Sequence, residues 1–88
     1  MTDEEISAKL LGFIRKSFLA GDPKNELSEK APLLEWGVLN SLNTMMLLAF
    51  VRDELGVEVS PMNINAKNFK DISNITAMIR GSLAVANT

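Results

Sequence analysis

From Asn40 to Gly56 the chain reads NSLNTMMLLAFVRDELG, and within it Met45 to Val51 is apolar without a break. Asn40 can accept a hydrogen bond from a free first-turn amide, and Gly56 suits the left-handed position after a last turn. The segment therefore predicts a helix starting at Asn40 or Ser41 and ending at Leu55. Leu42, Met45, Ala49 and Arg52 share one side of it, and Leu48, Val51 and Leu55 another. A helix this apolar is central to a bundle or offers part of its surface to something else. With 88 residues there is one core, and folding buries roughly 60–70% of the open chain's surface. Not every face of this helix can be covered. The length predicts a single domain over residues 1–88.

The remaining elements follow from spacing. Thr2 and Glu5 have the T-x-x-E spacing of a capping box. Apolar residues then recur at Ile6, Leu10, Phe13, Ile14 and Phe18, the pattern of one helical face, so a first helix is predicted over Asp3–Phe18. Gly12 within it suggests a close packing contact, since it otherwise costs about 1 kcal/mol against alanine. Gly21, Asp22 and Pro23 mark a turn, and Pro32 disfavours helix at Ala31. The result is a loop of near twenty residues up to Asn40, a length that is usually functional or anchored; Leu27, Leu33, Leu34 and Trp36 are its expected anchors. Trp36 invites a reading as a ligand-stacking ring, but packing on the core is the simpler expectation. Val57 and Val59 alternate like a strand over too short a run to build a sheet. A short helical turn is expected around Asn63–Asn68 with Ile64 and Phe69 inward. A last helix is expected from Asn74 to about Leu83, capped by Asp71 or Ser73, with Ile75, Met78 and Ile79 buried and AVANT fraying after it. Lys67, Lys70 and Arg80 read as a solvated face. The fold class is all-α: a small four-helix bundle of three longer helices and one short one, with a long loop after helix one.

Composition narrows the chemistry. Apolar residues make up 47% and charged residues 23%, which suits a folded domain. The net charge of −2 argues against a nucleic-acid binder, which needs a basic stripe. No cysteine is present, so disulfides and thiolate metal sites are excluded. Histidine and tyrosine are absent too, which removes the usual general base, metal ligand and partner of a nucleophilic serine. No metal is expected. No run approaches about 18 apolar residues, so no transmembrane helix is predicted. The acidic MTDEEISAKL is unlike a secretory signal, Asn74-Ile75-Thr76 is read as a chance sequon, and a cytoplasmic location is the default.

Ser41 is the residue that invites a functional reading. As a catalytic nucleophile it lacks a base: Glu35 and Lys30 are the nearest candidates in sequence, at no spacing that implies a dyad. As a helix-start residue it needs no further explanation. A wider pattern adds a third reading. The Leu-x-x-x-Gly element of PLLEWG, then GVLNSL from Gly37 to Leu42, then an amphipathic helix ending at Gly56, and finally FKDISNITAMI together resemble the acyl and peptidyl carrier proteins. The resemblance spans essentially the whole chain. The family signature has glycine, then Asp or His two residues on, then Ser and Leu or Ile. Here the spacing is slightly wider, and Asn40 stands where most carriers have Asp or His. PLLEWGVLNSLN looks most like free-standing peptidyl carriers of natural-product pathways, particularly the prolyl and pyrrolyl carriers.

The resemblance implies that Ser41 is esterified to 4′-phosphopantetheine by a separate phosphopantetheinyl transferase, with Asn40 as the helix cap beside it. The arm's thiol would hold an acyl or aminoacyl group as a thioester. The protein itself would not be an enzyme, and it would need neither histidine nor cysteine, because the transferase does the chemistry and the arm brings the sulfur. An adenylation enzyme would load it, tailoring or condensing enzymes would receive the cargo, and the carrier would be monomeric. Leu42 and Met46 are the expected partner surface, with Met45 read as core. Fatty-acid carriers have an acidic face here, whereas this chain has Asn43, Met45 and Met46. Two other readings stand beside this one: a fatty-acid or polyketide acyl carrier, and a helical interaction module with an exposed apolar helix.

Overall fold

A computed structural model of the chain describes residues 2–19, 21 and 26–86. Among them the order is α1 (Asp3–Phe18), α2 (Ser41–Leu55), a 3-10 turn at Pro61–Asn63 and α3 (Ile72–Ala86). The architecture is the all-helical one predicted. Both bounds of α1 fall where the periodicity put them. The Thr2 hydroxyl accepts from the Glu5 amide, and the Glu5 carboxylate accepts from the Thr2 amide, closing the capping box. At the far end of α2, Gly56 has φ 69°, and its amide donates back to the Arg52 and Val51 carbonyls.

One core unites the elements. Ile6, Leu10 and Ile14 of α1 meet Leu47, Val51 and Leu55 of α2 and Ile72, Ile75 and Ile79 of α3. α1 packs on both other helices. Phe13 and Phe18 sit at its margin, where Phe13 stacks on Phe50 of α2 at 4.3 Å and meets Phe18 edge-on at 5.5 Å.

The loop between α1 and α2 is held at several points. The Arg15 guanidinium donates to the Leu27 carbonyl at 3.3 Å, and the Ser7 hydroxyl donates to the Glu29 carboxylate at 2.7 Å. The Ser73 amide, one of the unpaired donors at the start of α3, donates to the Glu29 carbonyl at 3.0 Å, and the Leu33 amide donates to the Lys70 carbonyl at 2.9 Å. Leu27 and Leu33 are buried beneath these ties.

Several expectations change. Gly12 is exposed, and a β-carbon built there meets nothing within 4 Å, so it serves no close contact. Two short turns occupy the connector: a 3-10 turn at Pro61–Asn63, where Ser60 caps and Pro61 fixes the first helical φ, and the expected helical turn just after it, where the Phe69 amide donates to the Asn65 carbonyl at 3.1 Å and Asn65 Oδ1 accepts from the Asn68 amide at 2.9 Å. Phe69 is buried, but Ile64 faces outward. α3 begins at Ile72, two residues before the expected start, because Asp71 Oδ1 accepts from the Asn74 amide at 2.8 Å and makes Asp71 the cap. It continues to Ala86, so residues 84–86 of the expected tail are helical, while Asn87 and Thr88 lie outside the described residues. Asp22 and Pro23 of the first turn also lie outside them. Lys67 and Lys70 are exposed as expected. Arg80, however, pairs with Asp3 at 2.7 Å and ties α3 to the start of α1.

Candidate functional site at the start of the second helix

Residues 32–38 set the approach to α2. The Trp36 amide donates to the Pro32 carbonyl at 2.9 Å, making one helical turn. Gly37, at φ 74°, then reverses the chain. Its amide donates to Leu34 O at 3.2 Å, and the Val38 amide donates to Leu33 O at 2.9 Å. These paired bonds are a Schellman closure, which brings the residue after the glycine against the one five positions earlier. Leu33 and Val38 are accordingly both buried. Trp36 sits between them at the cap and projects outward, 50% exposed, with Leu34 at 39%. Neither is the core anchor expected of it.

The helix start follows at once. Asn40 Oδ1 accepts from the Asn43 amide at 2.8 Å, and the Asn40 carbonyl accepts from the Thr44 amide at 2.8 Å. The Asn43 side chain donates to the Val38 carbonyl at 2.8 Å, clamping the reversed loop against the first turn. Ser41 is thus the first helical residue. It is exposed, and no described residue engages its hydroxyl. Its own amide and that of Leu42 remain among the unpaired donors of the helix start, and the helix dipole adds partial positive charge there. No acidic residue lies in the first turn of α2. An exposed hydroxyl beside free amides is chemically suited to bear a phosphodiester.

The surroundings are apolar. Leu42 is 68% exposed, Met45 69% and Met46 44%. The reading of Met45 as core is therefore overturned: one turn after Ser41 it shares the outward side of α2, while Leu47, Val51 and Leu55 take the inward one. An open apolar cleft of about 260 Å³ lies beside the helix start, lined by Leu34, Thr44, Ile64, Asn65, Ala66 and Phe69. Further along, Met45, Leu48, Ala49, Arg52, Glu58 and Val59 line a groove of about 410 Å³. Charge returns only at the far end of α2, where Arg52 and Asp53 form an exposed pair at 3.2 Å.

The Asn43 clamp and the exposed Met62 and Ile64 escaped the sequence reading. The signal for Met62 was present, since Ser60-Pro61 is a cap followed by an N1 proline. No pattern marks the Asn43–Val38 contact, which depends on how the loop turns. Among the described residues no group of three or more Asp or Glu could hold a metal. No helix among them is long and apolar enough to cross a membrane.

Known proteins match this arrangement. The family model described as a phosphopantetheine attachment site matches residues 19–79, which include the loop, Ser41, all of α2 and the first half of α3. The chain is 28% identical over 75 residues to "Probable acyl carrier protein PigG" of Serratia sp. (strain ATCC 39006), covering 85% of each protein. It also resembles a chain in a crystal structure described as that of an FAD-dependent dehydrogenase, with a TM-score of 0.74 and 31% identity, over 80% of this chain and 97% of that one.

Proposed function

We propose, because this chain belongs to the phosphopantetheine attachment family, that Ser41 takes the arm and that the protein carries an acyl or aminoacyl group between separate enzymes. The observation that carries this reading is the exposed hydroxyl of Ser41 at the first position of α2. The other serines of the matched region are less suited. Ser60 caps the 3-10 turn, Ser73 is half-buried at the start of α3, and Ser28 lies in the loop with no helix after it.

Each residue has a task in this reading. Ser41 offers the oxygen that forms the phosphate ester, and a phosphopantetheinyl transferase takes the proton, since no histidine is present here. The Ser41 and Leu42 amides face the ester's negative charge. Asn40 keeps the capping oxygen without adding a carboxylate against that charge. The arm, when attached, supplies the thiol on which cargo is held as a thioester. Leu42 and Met46, both exposed, form the partner surface, and Met45 joins them. With no acid in the first turn of α2, docking rests on apolar contact, which favours a peptidyl-type carrier over a fatty-acid one.

The pathway is a nonribosomal or related secondary-metabolite route, with an adenylation enzyme loading the arm. The likeness of GVLNSL and its flanks to prolyl and pyrrolyl carriers supports an aminoacyl cargo. The likeness to a chain from the FAD-dependent dehydrogenase structure supports a flavin-dependent dehydrogenase among the partners. That chain is about as long as the stretch it matches here, the size of a carrier.

The test is intact-mass measurement after incubation with coenzyme A and a promiscuous transferase. A gain of one phosphopantetheine is expected for the wild type and none for Ser41→Ala. Loading by single adenylation enzymes, with free amino acids and with fatty acids, then assigns the cargo. An unchanged mass across several transferases would refute the carrier reading and leave an interaction module.

A further inference from the structure

The methionines divide sharply between surface and core. Of the five in the chain, Met62 is 88% exposed, Met45 69% and Met46 44%, whereas Met78 is 9% exposed in the core. Met1 lies outside the described residues. Two of the exposed thioethers, Met45 and Met46, belong to the helix that carries Ser41 and lie one turn along it. Met62 stands on the connector between α2 and α3, where its neighbours Ser60 and Asn63 line a cleft with Met78, Gly81 and Ser82 of α3. The rest of the core is Ile, Leu, Val, Ala and Phe, which peroxide does not oxidise.

We propose that Met45 and Met46 are a peroxide-modified site that switches this face between an apolar, docking-competent form and a polar, docking-impaired one. In the step, the methionine sulfur attacks one oxygen of hydrogen peroxide. The S–O bond forms as the O–O bond breaks, the sulfur is oxidised by two electrons, and the other oxygen leaves as water after proton transfer. The sulfoxide is polar and is reversed by methionine sulfoxide reductases. Buried at a partner's apolar surface it lacks a donor, so docking weakens. The core keeps its packing, since its one methionine, Met78, is 9% exposed, at the floor of a cleft shared with Ser60 and Asn63, against 69% and 44% for Met45 and Met46. The chain's lack of cysteine leaves the unmodified protein no thiol to intercept the oxidant. The docking consequence rests on the carrier reading above; the order of oxidation does not.

The experiment treats the unmodified protein with hydrogen peroxide, maps sulfoxides by peptide mass spectrometry, records thermal melts, and then measures arm transfer from coenzyme A. Met62, Met45 and Met46 should oxidise before Met78, with the cooperative melt retained. The rate of arm transfer should fall by about tenfold and return after treatment with sulfoxide reductases. In a Met45→Leu/Met46→Leu variant, the ratio of treated to untreated rates should stay near unity, whatever its starting rate. Simultaneous oxidation of Met78, or an unchanged rate in a treated wild type whose untreated form accepts the arm, overturns the proposal. An untreated protein that never accepts the arm overturns the carrier reading and the docking switch with it.

Discussion

Adding one methyl group at Gly12 should stabilise this protein, and adding the same group at Gly56 should destabilise it. Gly12 lies inside α1, exposed, and a β-carbon there meets no atom within 4 Å. Only the helix preference then acts, and alanine exceeds glycine by about 0.8–1.0 kcal/mol in a helix interior. Gly56 also has free space around its missing β-carbon, but it sits at φ 69°. There the side chain crowds the following carbonyl, at about 1–2 kcal/mol, and the smaller entropy of the unfolded alanine chain offsets about 0.4–1 of that. The net loss is about 1 kcal/mol. For a domain of this size each kcal/mol moves Tm by about 4–8 °C. Circular dichroism melts of Gly12→Ala and Gly56→Ala should therefore bracket the wild type, about 5 °C above and about 5 °C below it. A fall in Tm for Gly12→Ala would mean that something packs against α1 at that point, and the solvent-facing assignment of that side would be wrong.

Three further outcomes are expected. Asn40→Ala removes the acceptor of the Asn43 amide and should cost about 1 kcal/mol in urea unfolding, whereas Asn40→Asp keeps the capping oxygen and should not. Leu33→Ala empties a fully buried site and should cost about 2–5 kcal/mol; because Leu33 O also anchors Val38 and Leu39, hydrogen exchange of residues 33–40 should quicken as well. The third concerns pH. Hydrogen bonds from the Thr2 amide and hydroxyl hold the Glu5 carboxyl below its ordinary value of 4.5, so its stabilising effect is present above that value and is lost as pH falls through the lowered one. Glu5→Gln should flatten the acid limb of the stability–pH curve in that window, and an unchanged limb would show that the capping box does not form in solution.

The helices were legible because each carries its own punctuation. Thr2 and Glu5 open α1, Asn40 opens α2 and Gly56 closes it, and these are contacts between near neighbours. What the sequence leaves open is set by how the loops turn and by which side of each helix meets its neighbours. Leu33, Leu34 and Trp36 look alike as loop anchors, yet the Schellman reversal at Gly37 sends Leu33 inward and leaves Leu34 and Trp36 outside. Met45 failed for a related reason. The run from Met45 to Val51 has no polar residue to mark an outer face, so its orientation is set by which side meets α1. Phe50 and Leu47 take that side through Phe13 and the core, and Met45 is left on the other. The start of α3 moves to Ile72 because, of the two cap residues the sequence offers, it is Asp71 whose side chain takes a first-turn amide, that of Asn74.

That same loop docking links stability to function. Ser41 is placed by local capping, but the capping residues are themselves held by a loop whose ties run to α1 through Ser7 and to α3 through Lys70 and Ser73. The Ser7 tie pairs the hydroxyl of a buried residue, and the Lys70 tie pairs the amide of buried Leu33. The outward side of α2 carries none of them: Ser41, Leu42 and Met45 lie mostly in the open, with Met46 partly covered. The division permits a face that changes partner and chemical state while the bundle stays folded, provided that substitutions at Ser41 and Met45 leave the melt where it was and substitutions at Leu33 do not.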